Sequence, residues 1–119
     1  MKAVIAARQL EIATDIRVAD SFFTRLRGLL GRRSLRPGEG LLIQPCKGVH
    51  TVGMLFPIDV LFLDEAGRII ASMRQLPPFR FSGICFEAQS ALELPAGTLD
   101  RFAITSGEQV SIVNDYATP

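Results

Sequence analysis

Hydrophobic and polar positions recur with a period of two in several short runs along this chain, and with a helical period in one. The clearest run is Ile58-Asp-Val-Leu-Phe-Leu63. The turn Asp64-Glu-Ala-Gly67 and a second run, Arg68 to Leu76, follow it, so 58–76 reads as a β-hairpin. In its first strand, Ile58, Val60 and Phe62 are expected on one face and Asp59, Leu61 and Leu63 on the other. Residues 3–7 and 10–18 predict two more strands. In the latter, Leu10, Ile12, Ile16 and Val18 alternate with Glu11, Asp15 and Arg17, with a break at 13–14 that fits a bulge or a turn. Leu41–Ile43, Gln89–Leu94 and Gln109–Val113 read as short strands, and Leu99–Phe102 as about one helical turn. Phe79–Phe86 is apolar but irregular, either a covering loop or an edge strand.

The helical period occurs after Asp20-Ser21, which supplies an N-cap. Phe22, Phe23, Leu26, Leu29 and Leu30 fall near one face, and Gly31 is placed to end the helix. Together these elements predict a mainly β fold: a compact antiparallel sandwich or small, jelly-roll-like barrel with one short helix in the N-terminal half. A single domain is expected over 1–113, with a frayed tail at 114–119. Strands do not alternate with helices, and neither a P-loop nor Gly-x-Gly-x-x-Gly is present, which excludes a parallel nucleotide-binding sheet.

Composition narrows the picture further. A chain of 119 residues fits one domain, and 48% hydrophobic content supports a packed core. A formal charge of +1 gives no broad basic face for nucleic acid. Arg25, Arg27, Arg32, Arg33 and Arg36 cluster within twelve residues, as a solvated face or an anion-binding patch. No run approaches the ~20 apolar residues of a membrane span. Charges at Arg8, Glu11 and Asp15 interrupt the first apolar run before a signal sequence could form. The expected compartment is the cytoplasm, where Cys46 and Cys85 stay reduced. Two cysteines without a Cys-x-x-Cys pair predict no metal site and no cofactor.

The chemistry-bearing residues concentrate in 46–64, which holds Cys46 and the only histidine, His50. Gly48, Gly53 and Pro57 rule out a stable helix there. An extended chain would keep Cys46 and His50 more than ~13 Å apart, whereas a tight turn at Lys47-Gly48 could bring them together. Two readings stand side by side: a thiol nucleophile with an imidazole base, or a small buried hydrophobe and a packing histidine. Metal binding would need Asp59 or Glu93 as additional ligands. Asp59 and Glu93 are carboxylates inside apolar strands, where a charge is costly unless paired. Arg74, Arg68 and Arg80 are the available cations. The four residues Asp59, Glu93, Arg74 and Arg80 fit either a solvated sheet face or a polar site.

The run Cys46…Val49-His50-Thr51…Met54…Phe56-Pro57-Ile58-Asp59-Val60…Phe62-Leu63-Asp64 resembles members of the domain-of-unknown-function 192 family. Arg27-Gly28-Leu29-Leu30-Gly31-Arg32, Ala91-Leu92-Glu93-Leu94-Pro95-Ala96-Gly97 and Ile104-x-x-Gly107-Glu108-x-Val110 agree with it, so the resemblance covers roughly 10–113. Gly107-Glu108 replaces the more frequent Gly-Asp, a conservative departure. The resemblance implies a compact mainly β sandwich, and no established function or catalytic residue.

Three functions are therefore expected in order. The first is a non-enzymatic domain binding a small ligand or a protein partner in a cleft between the 46–57 loop and the 77–88 segment, through His50, Asp59, Arg74, Arg80 and Glu93. The second is a thiol-dependent hydrolase or acyl transferase using Cys46 with His50. The third is an interaction protein, possible as a homo-oligomer, pairing through the Phe79–Phe86 edge.

Overall fold

The computed structural model describes residues 1–19 and 34–114. The helix predicted after Asp20, four of the five clustered arginines (Arg25, Arg27, Arg32 and Arg33) and the tail beyond Asn114 lie outside the described residues, whereas Arg36 is exposed. The strands are β1 (Lys2–Ile5), β2 (Leu10–Ala13), β3 (Asp15–Ala19), β4 (Glu39–Ile43), β5 (Ile58–Leu63), β6 (Ile69–Leu76), β7 (Ser90–Pro95) and β8 (Val110–Val113). Among the described residues a 3-10 turn spans Ala6–Arg8 and a short helix, α1, spans Thr98–Arg101.

Two sheets form, with strand orders β2-β1-β8 and β3-β4-β7-β5-β6, and among the described residues neither closes into a barrel. The fold is mainly β, as the alternation predicts. Every pairing is antiparallel except β3 with β4, which run parallel. Residues 20–38 between those two strands are long enough for the crossover that a parallel pair requires. The break at 13–14 has a plain cause: Ala13 ends β2 in one sheet and Asp15 opens β3 in the other. The amides of Thr14 and Asp15 both donate to the Gly38 carbonyl at that step.

Strand β5 is buried along its whole length because both faces of the larger sheet are covered. Ile58, Val60 and Phe62 join a cluster with Leu41, Ile43, Cys46, Val49, Met54 and Phe56. Leu61 and Leu63 join a second cluster with Ile5, Ile12, Leu92, Leu94, Leu99 and Val110. The three-stranded sheet and α1 cover the second cluster. The 46–57 and 77–88 segments lie against the first, through Cys46, Val49, Met54, Phe56 and Ala88.

The β5–β6 hairpin turns on Asp64, whose Oδ1 accepts from the amides of Ala66 and Arg68 at 2.9 Å each. Gly67 is held at φ 83°, and a Cβ there would overlap the Val110 carbonyl oxygen, so the turn needs glycine for conformation and for space. At the far end of the hairpin the register shifts between Ile58 and Val60, and Gln75 takes φ 51° in the bulge. That bulge decides the fate of Asp59.

Candidate functional site

The 46–57 and 77–88 segments are zipped together edge to edge. Cys85 N donates to Lys47 O (2.7 Å), Ser82 N to Val49 O (2.9 Å), Thr51 N to Arg80 O (2.8 Å) and Phe79 N to Thr51 O (3.1 Å). Side chains reinforce this ladder. The fully buried Thr51 hydroxyl donates to Pro77 O and accepts from Arg80 N, Ser82 Oγ accepts from Val49 N, and Lys47 Nζ donates to the Phe86 and Ala88 carbonyls. The expected gap between the two segments is therefore filled by their own hydrogen bonds. What they share is an outer surface.

The bonds on either side of His50 and Phe81 make these residues a directly opposed, non-hydrogen-bonded pair. Side chains of such a pair stand close together on one side of the ladder. Both are exposed here, and they are not isolated. Val52, Leu55, Phe79, Phe81, Ile84 and Phe86 all lie on these two segments, with exposures from 53% at Ile84 to 79% at Phe86. With a large apolar side chain counted at about 150–200 Å², the six amount to roughly 600–700 Å². A typical monomer leaves roughly 300–600 Å² in its largest apolar patch. Gly48 is the floor of this face: a Cβ there would lie 3.3 Å from both Phe81 Cε1 and Ile84 Cδ1, and 2.7 Å from Gly83 O.

The residues singled out from the sequence divide between the two sides of the larger sheet. His50 and Arg80 belong to the zipped segments and are exposed. Cys46 is buried in the first core cluster, and its thiol donates to the Gly48 carbonyl at 3.2 Å. The thiol thus faces the core while the imidazole faces outward. Cys85 is half-buried against the same cluster. Among the described residues no group of three His, Cys, Asp or Glu side chains could hold a metal ion.

Asp59 corrects the expectation of an arginine partner or a solvated face. It is fully buried, Oδ1 accepts from Gln75 N in the bulge, and Oδ2 accepts from Leu99 N in the first turn of α1, each at 2.8 Å. Its partners are two backbone amides that the bulge and the helix start would otherwise strand. Arg74 instead pairs with Asp100 at 2.8 Å on the surface, and Arg68 donates to Gly107 O. Asp59 and Arg74 are therefore parts of the scaffold around α1.

Glu93 has the opposite environment. It lies between Leu41 and Val60 in the register of the sheet and faces the first cluster, with 4% of its surface exposed. Among the described residues nothing hydrogen-bonds to its carboxylate, and burial pushes its pKa up to about 7. The ionic network of Asp59, Glu93, Arg74 and Arg80 does not form: Asp59 and Glu93 point to opposite faces, and neither meets an arginine among the described residues. Two shallow grooves lie elsewhere, about 500 Å³ beside Gln44 and Ser90 and about 420 Å³ beside Thr14 and Arg101, and none of the predicted site residues lines either.

The sequence suggests a cleft between these two segments, whereas the structure joins them edge to edge with an exposed apolar outer surface. The irregular apolar run 79–86 carried the signal, because four large apolar residues without a burial period cannot all face inward.

Among the described residues the architecture is that of a small two-sheet β domain, with the three-stranded sheet and α1 on one face of the larger sheet and a zipped pair of loops on the other. The chain belongs to the DUF192 family (Uncharacterized ACR), whose model matches residues 3–112. No curated protein matches its sequence. Among solved structures it is similar to a candidate transcription regulator from Sinorhizobium meliloti 1021, with a TM-score of 0.78 at 24% identity, covering 92% of this chain and 89% of that one. It is also similar to a protein of unknown function from Novosphingobium aromaticivorans DSM 12444, with a TM-score of 0.74 at 19% identity, covering 82% of this chain and 74% of that one. Likeness at these identities establishes the fold.

Proposed function

We propose that this chain is a binding rather than a catalytic domain, and that it docks another protein chain on the face carried by the 46–57 and 77–88 segments. One observation carries the reading: every large apolar side chain left exposed among the described residues, Val113 apart, lies on these two adjoining segments. Burying apolar surface yields about 25 cal/mol per Å², and exposed apolar side chains gathered on adjoining segments fit an interaction site. His50 beside Phe81, together with Arg80, supplies polar groups within or at the border of an apolar contact, the usual layout of an interface. Direct contact with DNA, which likeness to a candidate transcription regulator would suggest, draws no support from a net charge of +1. The thiol-enzyme reading stands second, because the Cys46 thiol is turned into the core.

Site-specific photo-crosslinking in living cells tests this. A benzophenone amino acid is placed at Phe86 on the loop face and, in a separate variant, at Val113 on β8, which is also exposed and apolar. A discrete protein adduct from Phe86 with none from Val113 is expected. Equal adducts from both positions, or none from Phe86, would contradict the proposal.

A further inference from the structure

The docking face carries a second regularity, visible along Arg80-Phe-Ser-Gly-Ile-Cys-Phe-Glu87. Read from either end, this segment presents an exposed charge, then a phenylalanine, then two smaller residues up to its midpoint, and the two terminal charges are opposite in sign. Phe81 is 59% exposed and Phe86 79%. Neither Arg80 nor Glu87 has an ion-pair partner among the described residues.

We infer that the occupant of this face is a second copy of the chain, joined about a two-fold axis that passes near Gly83 and Ile84. The inference rests on the docking reading and names the partner it leaves open. A two-fold contact uses one surface twice and must be self-complementary. Here the axis sets Arg80 against Glu87 of the second copy, and Phe81 against Phe86 of the second copy, and both contacts recur by symmetry. The exposed apolar surface of roughly 600–700 Å² per copy approaches the about 800 Å² per partner of a standard protein interface. A lipid surface fits less well. The Lys47 ammonium is held by the Phe86 and Ala88 carbonyls, and Glu87 would face anionic headgroups.

Sedimentation equilibrium on the purified chain, from low micromolar to a few hundred micromolar, is the test. The unsubstituted chain is expected to pass from monomer to dimer over that range. Phe81→Ser with Phe86→Ser should weaken association at least about a hundredfold, since central aromatic residues dominate interfaces. Arg80→Glu and Glu87→Arg should each weaken it about tenfold, because either change sets like charges opposite twice. Combining the two charge reversals should restore it. Each changed residue is exposed, and thermal unfolding of every variant checks that the fold is kept.

A monomer at all concentrations, or a double reversal that fails to restore the dimer, overturns the inference. If that monomer still yields a crosslink from Phe86 to a different protein, the second copy is excluded and the docking reading stands. If it yields none, both fail. Flotation of the monomer with phosphatidylserine vesicles would assign the face to a membrane and overturn both.

Discussion

The two faces of the five-stranded sheet are built to different standards. One is covered by a regular three-stranded sheet and α1, and its buried acid, Asp59, satisfies two backbone amides. The other is approached by irregular segments, and its buried acid, Glu93, has no partner among the described residues. The two acids sit one position apart on directly paired strands, since Asp59 faces Leu94 in register and Val60 faces Glu93. The same residue class in nearly the same place thus meets two backbone amides on one side and, among the described residues, no partner on the other. The face on the side of the 46–57 and 77–88 segments is also the one whose covering turns large apolar side chains to water.

The largest effect should come from breaking the complete face. Asp59→Ala leaves two buried donors without an acceptor and should cost about 3–5 kcal/mol in urea unfolding, while Asp59→Asn should cost less because one oxygen remains. A loss below about 1 kcal/mol for Asp59→Ala would remove the contrast between the faces.

Glu93 sharpens the comparison through pH. The unfolded chain ionises this group near its ordinary 4.5, and the folded chain holds the proton until about 7. Its contribution is therefore intact below pH 4.5, is lost as pH rises from 4.5 through 7, and is flat above that. The total loss is about 3 kcal/mol. Glu93→Gln should flatten that slope and raise stability at pH 8, read from unfolding midpoints across pH. An unchanged slope in Glu93→Gln would show that another group carries it.

Gly48→Ala tests whether the zipped segments are a rigid platform. The new Cβ meets Gly83 O at 2.7 Å, and forcing the segments apart should cost about 1–3 kcal/mol and raise hydrogen exchange at Ser82 and Cys85. A neutral effect on both would mean that the loops yield freely. The smallest effect concerns the thiols. Half-buried Cys85 should be alkylated faster than buried Cys46, by about tenfold, in the folded chain at neutral pH. Faster labelling of Cys46 would revive the thiol-enzyme reading.

Much of the fold was legible because alternation is a local signal. The 58–76 hairpin, the opposite orientation of Ile58 and Asp59, and the turn chemistry of Asp64 and Gly67 all appear as expected. The parallel β3–β4 pair and the passage between sheets at Thr14 depend on which strands meet, and no local pattern records that. Asp59 and Glu93 look alike in sequence, each an acid between apolar neighbours. What separates them is a bulge at Gln75 and the start of α1 about forty residues away, both contributed through backbone amides that carry no side-chain signature. The two loop segments were legible as neighbours, and their shared outer surface was not. Exposure of Phe79 and Phe81 goes with the hydrogen bonds that lock Thr51 to Pro77 and Arg80, and that of Phe86 with the bonds that Lys47 makes to Cys85 N and the Phe86 carbonyl, none of which a periodicity could predict.

The central claim is that the loop face is covered when the protein is at work. Hydroxyl-radical labelling of intact cells, compared with the dilute purified chain, addresses it most directly. Oxidation of Phe79, Phe81 and Phe86 should fall in cells while that of half-buried Phe102, on the other side of the molecule, stays the same. Equal oxidation of the three phenylalanines in both settings would contradict the account.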